Sequence, residues 1–262
     1  MGRDSGREEA YFRYMAERGW SEGNLRYYLS FLFDGIDLRG KRVLDVGAGD
    51  GTYSFYAASV GAASVVALEP ESAGSASNVR EAVTTTAERL RLDRVTLVPD
   101  SLQDYMPDGA EFDVLLLHAS INHLDEVACM GLRQDVAARA VYQRLFEKLS
   151  ALSAPGATLI ALDCSPRNFF ARFHWNPFAP TIEWNKHQPP ELWAELLEQA
   201  GFENPRVRWH SFNTLRSVGR LLLGNRVASY FLTSAFCLTM TRAPDVRPAP
   251  PTSPPAVHSR TS

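Results

Sequence analysis

The order of apolar and polar positions divides the chain into stretches of different period. Between residues 8 and 34, aromatic and aliphatic side chains recur at three- and four-residue spacing. Tyr11, Tyr14, Met15 and Arg18 lie on one run, and Leu25, Tyr28, Leu29 and Leu32 on another. This is the period of helices with one face on a core, so an N-terminal helical cap is expected over residues 1–38. A second reading has Trp20, Tyr27 and Tyr28 closing over a pocket as a lid. From Arg42 onward, short apolar runs alternate with amphipathic ones. Strands are expected at 42–46, 64–69, 94–98, 112–118 and 157–163, and helices near 52–60, 74–91 and 133–152. Strands that are apolar throughout are covered on both faces, which predicts an α/β fold with a doubly wound, parallel sheet.

The pattern changes after Asp163. Residues 164–190 combine Pro166, Pro177, Pro180, Pro189 and Pro190 with Phe169, Phe170, Phe173, Trp175, Phe178 and Trp184. A long irregular connection of this kind is often functional. The aromatic side chains read either as an acceptor-site wall or as a small satellite core. A helix is expected from Glu191 to Ala200, stopped at Gly201, followed by strands near 205–211 and 229–240. Residues 243–262 are rich in Pro, Ser, Thr and Ala and are expected to be a disordered tail. The main domain is thus expected at 39–242.

Composition narrows the class without deciding it. With 262 residues, 45% hydrophobic and 22% charged, the chain reads as an ordinary soluble globular protein. The net charge of −3 gives no global pull toward nucleic acid. No apolar run approaches the ~18 residues of a membrane span, and Met1–Ala10 is charged rather than apolar. Cys129, Cys164 and Cys237 form no CxxC pair, which fits a cytoplasmic protein with no structural metal.

Candidate chemistry gathers where the expected strands end. Val43-Leu44-Asp45-Val46 runs into Gly47-Ala48-Gly49-Asp50-Gly51-Thr52, a turn whose glycines admit a ligand close to the main chain before a helix start. Glu69 ends the second strand, 24 residues after Asp45, where a carboxylate accepts both hydroxyls of a ribose. Asp100 follows the third strand in Val98-Pro99-Asp100-Ser101-Leu102, placed to meet an adenine amino group. His118 ends the fourth, with Asn122 and His123 just beyond.

The segment from about 40 to 165 resembles the class I S-adenosylmethionine-dependent methyltransferases, whose first motif Val43–Gly51 matches almost letter for letter. The resemblance implies a Rossmann-like, seven-stranded sheet whose last strand is antiparallel, with S-adenosylmethionine as the cofactor. By position, Gly47, Ala48 and Gly49 would lie against its methionine and ribose, and Asp45 would support the loop and the amino group. Glu69 would bind the ribose, Asp100 with Ser101 and Leu102 would read adenine, and His118 and Ala119 would border the sulfonium. The nearest rival is a nicotinamide-binding unit, an NAD-dependent oxidoreductase. Its GxGxxG is one residue longer than this turn, and it needs no acid after the third strand. A silent cofactor-binding module serving a protein partner is the other alternative.

The acceptor side is less defined. Alcohol methylation needs a general base, most often histidine. His118, His123, His174 and His187 qualify, with His123 first because the loop after the fourth strand faces the methyl in this architecture. The polar side chains of Glu183, Lys186 and His187 are further candidate contacts. Arg206, Arg208, Arg216, Arg220 and Arg226 occur without an acid between Asn204 and Arg226, suiting an anionic acceptor or a solvated face. Leu221-Leu222-Leu223 beside them reads as a packed helix in preference to a membrane contact. Trp175-Asn176-Pro177-Phe178 has only part of the Asn-Pro-Pro-aromatic motif of base-amino methyltransferases, so no nucleic-acid partner is expected. Glu183-Trp184-x-Lys186-His187-Gln188 and Phe236-x-Leu238-Thr239-Met240 are similar to sequences that tailor glycans, which implies a small acceptor with a sugar hydroxyl.

Overall fold

A computed structural model of the chain describes residues 2–70, 79–107, 109, 111–173, 175, 177–178, 181–210 and 212–244. His174, Asn176, Pro180 and nearly all of the expected tail lie outside the described residues.

Seven strands, β1 (Arg42–Val46), β2 (Ser64–Leu68), β3 (Val95–Val98), β4 (Phe112–His118), β5 (Ser153–Cys164), β6 (Phe202–Trp209) and β7 (Ala235–Arg242), form one sheet. Their order is β3-β2-β1-β4-β5-β7-β6. Pairing is parallel from β3 to β5, and β7 is antiparallel to both β5 and β6. The seven-stranded sheet with an antiparallel last strand agrees with the sequence expectation. The chain order reverses between β1 and β4, the crevice where ligands bind in open α/β sheets.

Helices cover both faces. On one lie α1 (Gly2–Glu17), α2 (Glu22–Leu32), α3 (Thr52–Ser59) and α4 (Val79–Leu90), with Tyr11, Phe12, Met15, Leu25 and Phe31 sharing a core with Phe55, Val65, Leu116 and Ile160. On the other lie α5 (Glu126–Gly131), α6 (Val136–Leu152) and α7 (Pro190–Gln199), packed around Trp193, Tyr142 and Phe146. Asp125 and Asp135 open α5 and α6 by accepting from Ala128 N (2.9 Å) and Ala137 N (2.8 Å), the usual N-cap arrangement. Gly201, at φ +91°, ends α7. The N-terminal cap is therefore welded into the sheet's core. Tyr11 donates to the carbonyl of Thr52 at 3.0 Å, and Arg18 pairs with Asp50 at 2.9 Å beside the glycine turn.

The carboxyl-terminal part departs from expectation at two places, the first being Leu221 and Leu222, expected on a packed helix and found exposed. Residues 229–234 are not strand. A helix α8 (Arg216–Leu223) is followed by α9 (Arg226–Tyr230), and β7 begins only at Ala235. Asn225 starts α9 by accepting from Ala228 N at 2.9 Å, and buried Ser229 and Ser234 satisfy main-chain groups in the turn that follows. Side-chain-to-backbone bonds of this kind compete with a ladder, and here they displace it.

Candidate active site

The glycine turn is fixed by the strand next to it. Gly47 N and Ala48 N both donate to the Leu68 carbonyl, at 2.8 and 3.0 Å, so the end of β2 holds the turn against β1. Gly47, Gly49 and Gly51 have φ of +73°, +54° and +77°. A Cβ on Gly47 would stand 2.5 Å from that of Ser120, whereas nothing lies within 4 Å of one on Gly49. The first glycine is thus required by close approach of the loop after β4, and the second borders open space.

Glu69 meets this turn directly: its Oε2 accepts from Gly49 N at 2.8 Å. Asp45 sits beneath, fully buried, with Oδ2 accepting from Ser54 Oγ at 2.7 Å and Oδ1 without a partner among the described residues. Burial, opposed by the Ser54 bond and reinforced by Glu69 and Asp50, pushes its carboxyl up to about 7.

A cavity of about 480 Å³ opens over the ends of β1, β2, β3 and β4. Gly47, Glu69, Asp100, Ser101, Leu102, Ala119 and His123 line it, so seven of the eleven predicted site residues share one wall. Ala48 and Gly49 belong to the turn at its edge, and Asp45 supports the turn from below. Ala119, at φ +52°, and Ser120, whose Oγ donates to the Val46 carbonyl at 2.5 Å, shape the loop after β4.

The two histidines placed near the reacting methyl occupy different surroundings. His123 borders the cavity, with Nδ1 2.7 Å from Glu126 Oε1. Glu126 is held ionised, below the usual carboxylate range, by Lys186 (2.9 Å) and His123. A carboxylate only accepts, so Nδ1 donates to Glu126. His118 instead points to the cap side of the sheet. Its Nε2 meets Tyr28 Oη at 2.5 Å, and its ring lies 4.0 Å from that of Tyr53. Burial, with His210 nearby, lowers its pKa to about 4, so this imidazole is neutral.

Beyond Tyr28 and Tyr53 is a second cavity of about 630 Å³, bounded by Arg18, Trp20, Leu162, His210 and Phe212. Trp20 and Tyr28 wall this second cavity, whereas none of Trp20, Tyr27 and Tyr28 lines the cavity beside the glycine turn; Tyr28 is also buried core. His187 lies elsewhere, on the α7 side, with Nδ1 2.7 Å from buried Asp163, which also accepts from Trp193 Nε1 at 3.3 Å. Sequence reasoning finds His118 and Tyr28 separately but not their contact, and it misses Ser120 and the Asp163–His187 pair. The alternation of β4 offered one signal, since His118 shares a face with Leu116, which packs in the cap core.

The late arginines do not converge on one site. Arg208 and Arg220 pair with Asp34 at 3.3 and 2.7 Å, Arg216 donates to Asn24 at 3.3 Å, and Arg226 pairs with Glu191 at 3.3 Å. Arg226 joins Arg167, Arg172 and Glu191 around a third cavity of about 490 Å³.

A doubly wound sheet with antiparallel β7 and a glycine turn facing carboxylates after β2 and β3 is the class I methyltransferase arrangement. The family model described as "Methyltransferase domain" matches residues 13–207, and the chain belongs to this family, whose cofactor is S-adenosylmethionine. Solved structures share the fold. A Listeria monocytogenes protein proposed as an S-adenosylmethionine-dependent methyltransferase is 13% identical over 85% of this chain and 99% of its own, with a TM-score of 0.57. An S-adenosylmethionine-dependent methyltransferase of Aquifex aeolicus is 16% identical over 82% of this chain and 92% of its own, with a TM-score of 0.54. The [4+2]-cyclase SpnF is 15% identical over 85% of this chain and 81% of its own, also at 0.54. A search of curated proteins finds no match.

Proposed function

We propose that the chain transfers a methyl group from S-adenosylmethionine to a hydroxyl oxygen of a small acceptor, with a sugar or glycan hydroxyl as the expected class. The observation that carries this reading is the single cavity wall on which Gly47, Glu69, Asp100 and His123 meet. In this reading Glu69 accepts the ribose hydroxyls, and Asp100 with Ser101 and Leu102 meets adenine. Gly47, Ala48 and Gly49 lie along the methionine and ribose. Asp45 supports the turn and the amino group, while Ala119 and His118 mark the sulfonium side. The residues fit such a ligand. Among the described residues Glu69 engages only Oε2 within the protein, and the space past Gly49 is open.

The cofactor supplies a methyl already activated on a sulfonium, so the protein's task is alignment and proton removal. His123 is the proposed base. With Nδ1 donating to Glu126, Nε2 accepts the acceptor's proton as the new oxygen–carbon bond forms. His118, at the end of β4 and held by Tyr28, is the second candidate. A base with a pKa near 4 has little driving force at neutral pH, which favours His123.

The test is release of S-adenosylhomocysteine from wild type and His123→Ala over a panel of hydroxyl acceptors. The expected result is a kcat lower by about 10²–10⁴ with unchanged cofactor affinity. Full activity in the variant removes His123 from the mechanism. Cofactor binding without turnover on any acceptor favours a silent module.

A further inference from the structure

The third cavity, beyond the ends of β5 and β6, shares no lining residue with the donor cavity or the cap cavity. Its walls carry an uneven charge. Arg167 follows β5, Arg172 lies in the short helix Phe170–Phe173 of the aromatic insertion, and Arg226 opens α9. Three separate segments thus bring three guanidinium groups to about 490 Å³ of space, within the range of small-molecule sites. One carboxylate stands among them, that of Glu191 at the start of α7. Its Oε2 takes Arg167 and its Oε1 takes Arg226, each at 3.3 Å. The Arg172 side chain has no partner among the described residues, so the lining keeps an excess of two positive charges.

The surroundings hold the cluster in place. Buried Asn168 donates from Nδ2 to the Leu232 carbonyl at 2.8 Å and accepts from Phe170 N at 2.9 Å. Phe169 N donates to the Tyr230 carbonyl at 2.9 Å, which ties α9 to the insertion. Glu191 orients two of the guanidinium groups while using only one nitrogen of each, so further donors of both forks stay available. Such forks match the oxygens of a phosphate or carboxylate. Charge separates the two. A carboxylate answers one positive charge, whereas a phosphate monoester carries about −1.5 to −2 at neutral pH and answers both. Trp209 and Tyr230, each half-buried, line the same cavity and offer aromatic surface to the body of the ligand.

We propose that this cavity binds a small molecule carrying a phosphate monoester on a ring or other apolar body. Arg172, Arg167 and Arg226 take the phosphate, and Trp209 with Tyr230 takes the body. The site stands on its own lining, so it holds or fails independently of the methyl-transfer reading.

The test is calorimetric titration of phenyl phosphate, inorganic phosphate and benzoate into the full chain, as wild type, Arg172→Gln and Arg226→Gln. Both arginines are exposed at the cavity rim, and circular dichroism confirms that the variants fold. Expected is one phenyl phosphate per chain, bound more tightly than either inorganic phosphate or benzoate. Its affinity should fall by about tenfold or more in each variant, from the loss of charged hydrogen bonds. No binding of phenyl phosphate by wild type overturns the proposal, as does unchanged affinity in both variants. Benzoate bound as tightly as phenyl phosphate makes the site one for carboxylates and overturns the phosphate assignment. Inorganic phosphate bound as tightly overturns the role of Trp209 and Tyr230.

Discussion

At the scale of single residues, Asp45 is the most informative group. It lies next to the end of β1 in full burial, with one oxygen satisfied by Ser54 and the other without a partner among the described residues. Burial lifts its folded pKa to about 7, above the ordinary carboxylate value of 3.8, so folding favours the protonated carboxyl. That contribution is complete below about pH 4 and is lost as pH rises through 7. Asp45→Asn in ligand-free protein should then match wild type near pH 4. It should gain stability relative to wild type toward pH 8, by up to a few kcal/mol at roughly 1.4 kcal/mol per unit. Melting curves across that range check it, and a difference independent of pH contradicts it. Glu69, after the next strand, is easier to understand: half-buried and bonded to Gly49 N, it ties the turn to the end of β2. Both carboxylates stand out in the sequence because each follows a short apolar run. The partner of His118 does not, since Tyr28 lies 90 residues away and only the packed cap brings it near.

At the scale of elements, the two central glycines of the turn should fail differently. Gly47→Ala combines a left-handed backbone with a Cβ 2.5 Å from Ser120, and is expected to cost about 1–3 kcal/mol. At about 2–4 °C per kcal/mol for a domain of this size, the melting temperature should fall by several degrees. Gly49→Ala meets no atom and should destabilise less while weakening cofactor binding, because its methyl enters the open space. Equal stability losses in the two variants would contradict this division. Strands β1 to β5 and the turn are legible in the sequence because their signals are local: apolar runs, glycines and terminal acids. Residues 229–234 are not, because their strand-like composition gives way to a cap from Asn225 and to buried serine bonds. The aromatic insertion is half legible. Phe169, Phe170 and Phe178 do form a satellite cluster, with Tyr230 and Phe212 joining from distant segments. The outward stripe of α8 breaks the usual rule that apolar faces turn inward, so no periodicity argument finds it.

At the scale of the molecule, the cap and the sheet share one of two cores, with the site at the sheet's carboxyl edge. Tyr11, Phe12, Met15, Leu25, Leu29, Phe31 and Leu32 are essentially inaccessible. At roughly 1.5–3 kcal/mol for each such side chain, their burial is as large as the ~5–15 kcal/mol that holds a typical domain folded. Deleting residues 1–38 is therefore expected to abolish folding, which near-ultraviolet circular dichroism would show as loss of aromatic signal. A cooperatively folded 39–244 fragment would contradict this. Through Arg18 and Asp50 the same cap reaches the glycine turn. The most direct test of the donor site is calorimetric titration of S-adenosylhomocysteine into wild type and Glu69→Ala. The predicted result is one site per chain in wild type and an affinity loss of about 1–3 kcal/mol in the variant, from missing charge-assisted bonds to the ribose and to Gly49 N. Unchanged affinity in Glu69→Ala, or no binding by wild type, would contradict the site assigned to this cavity.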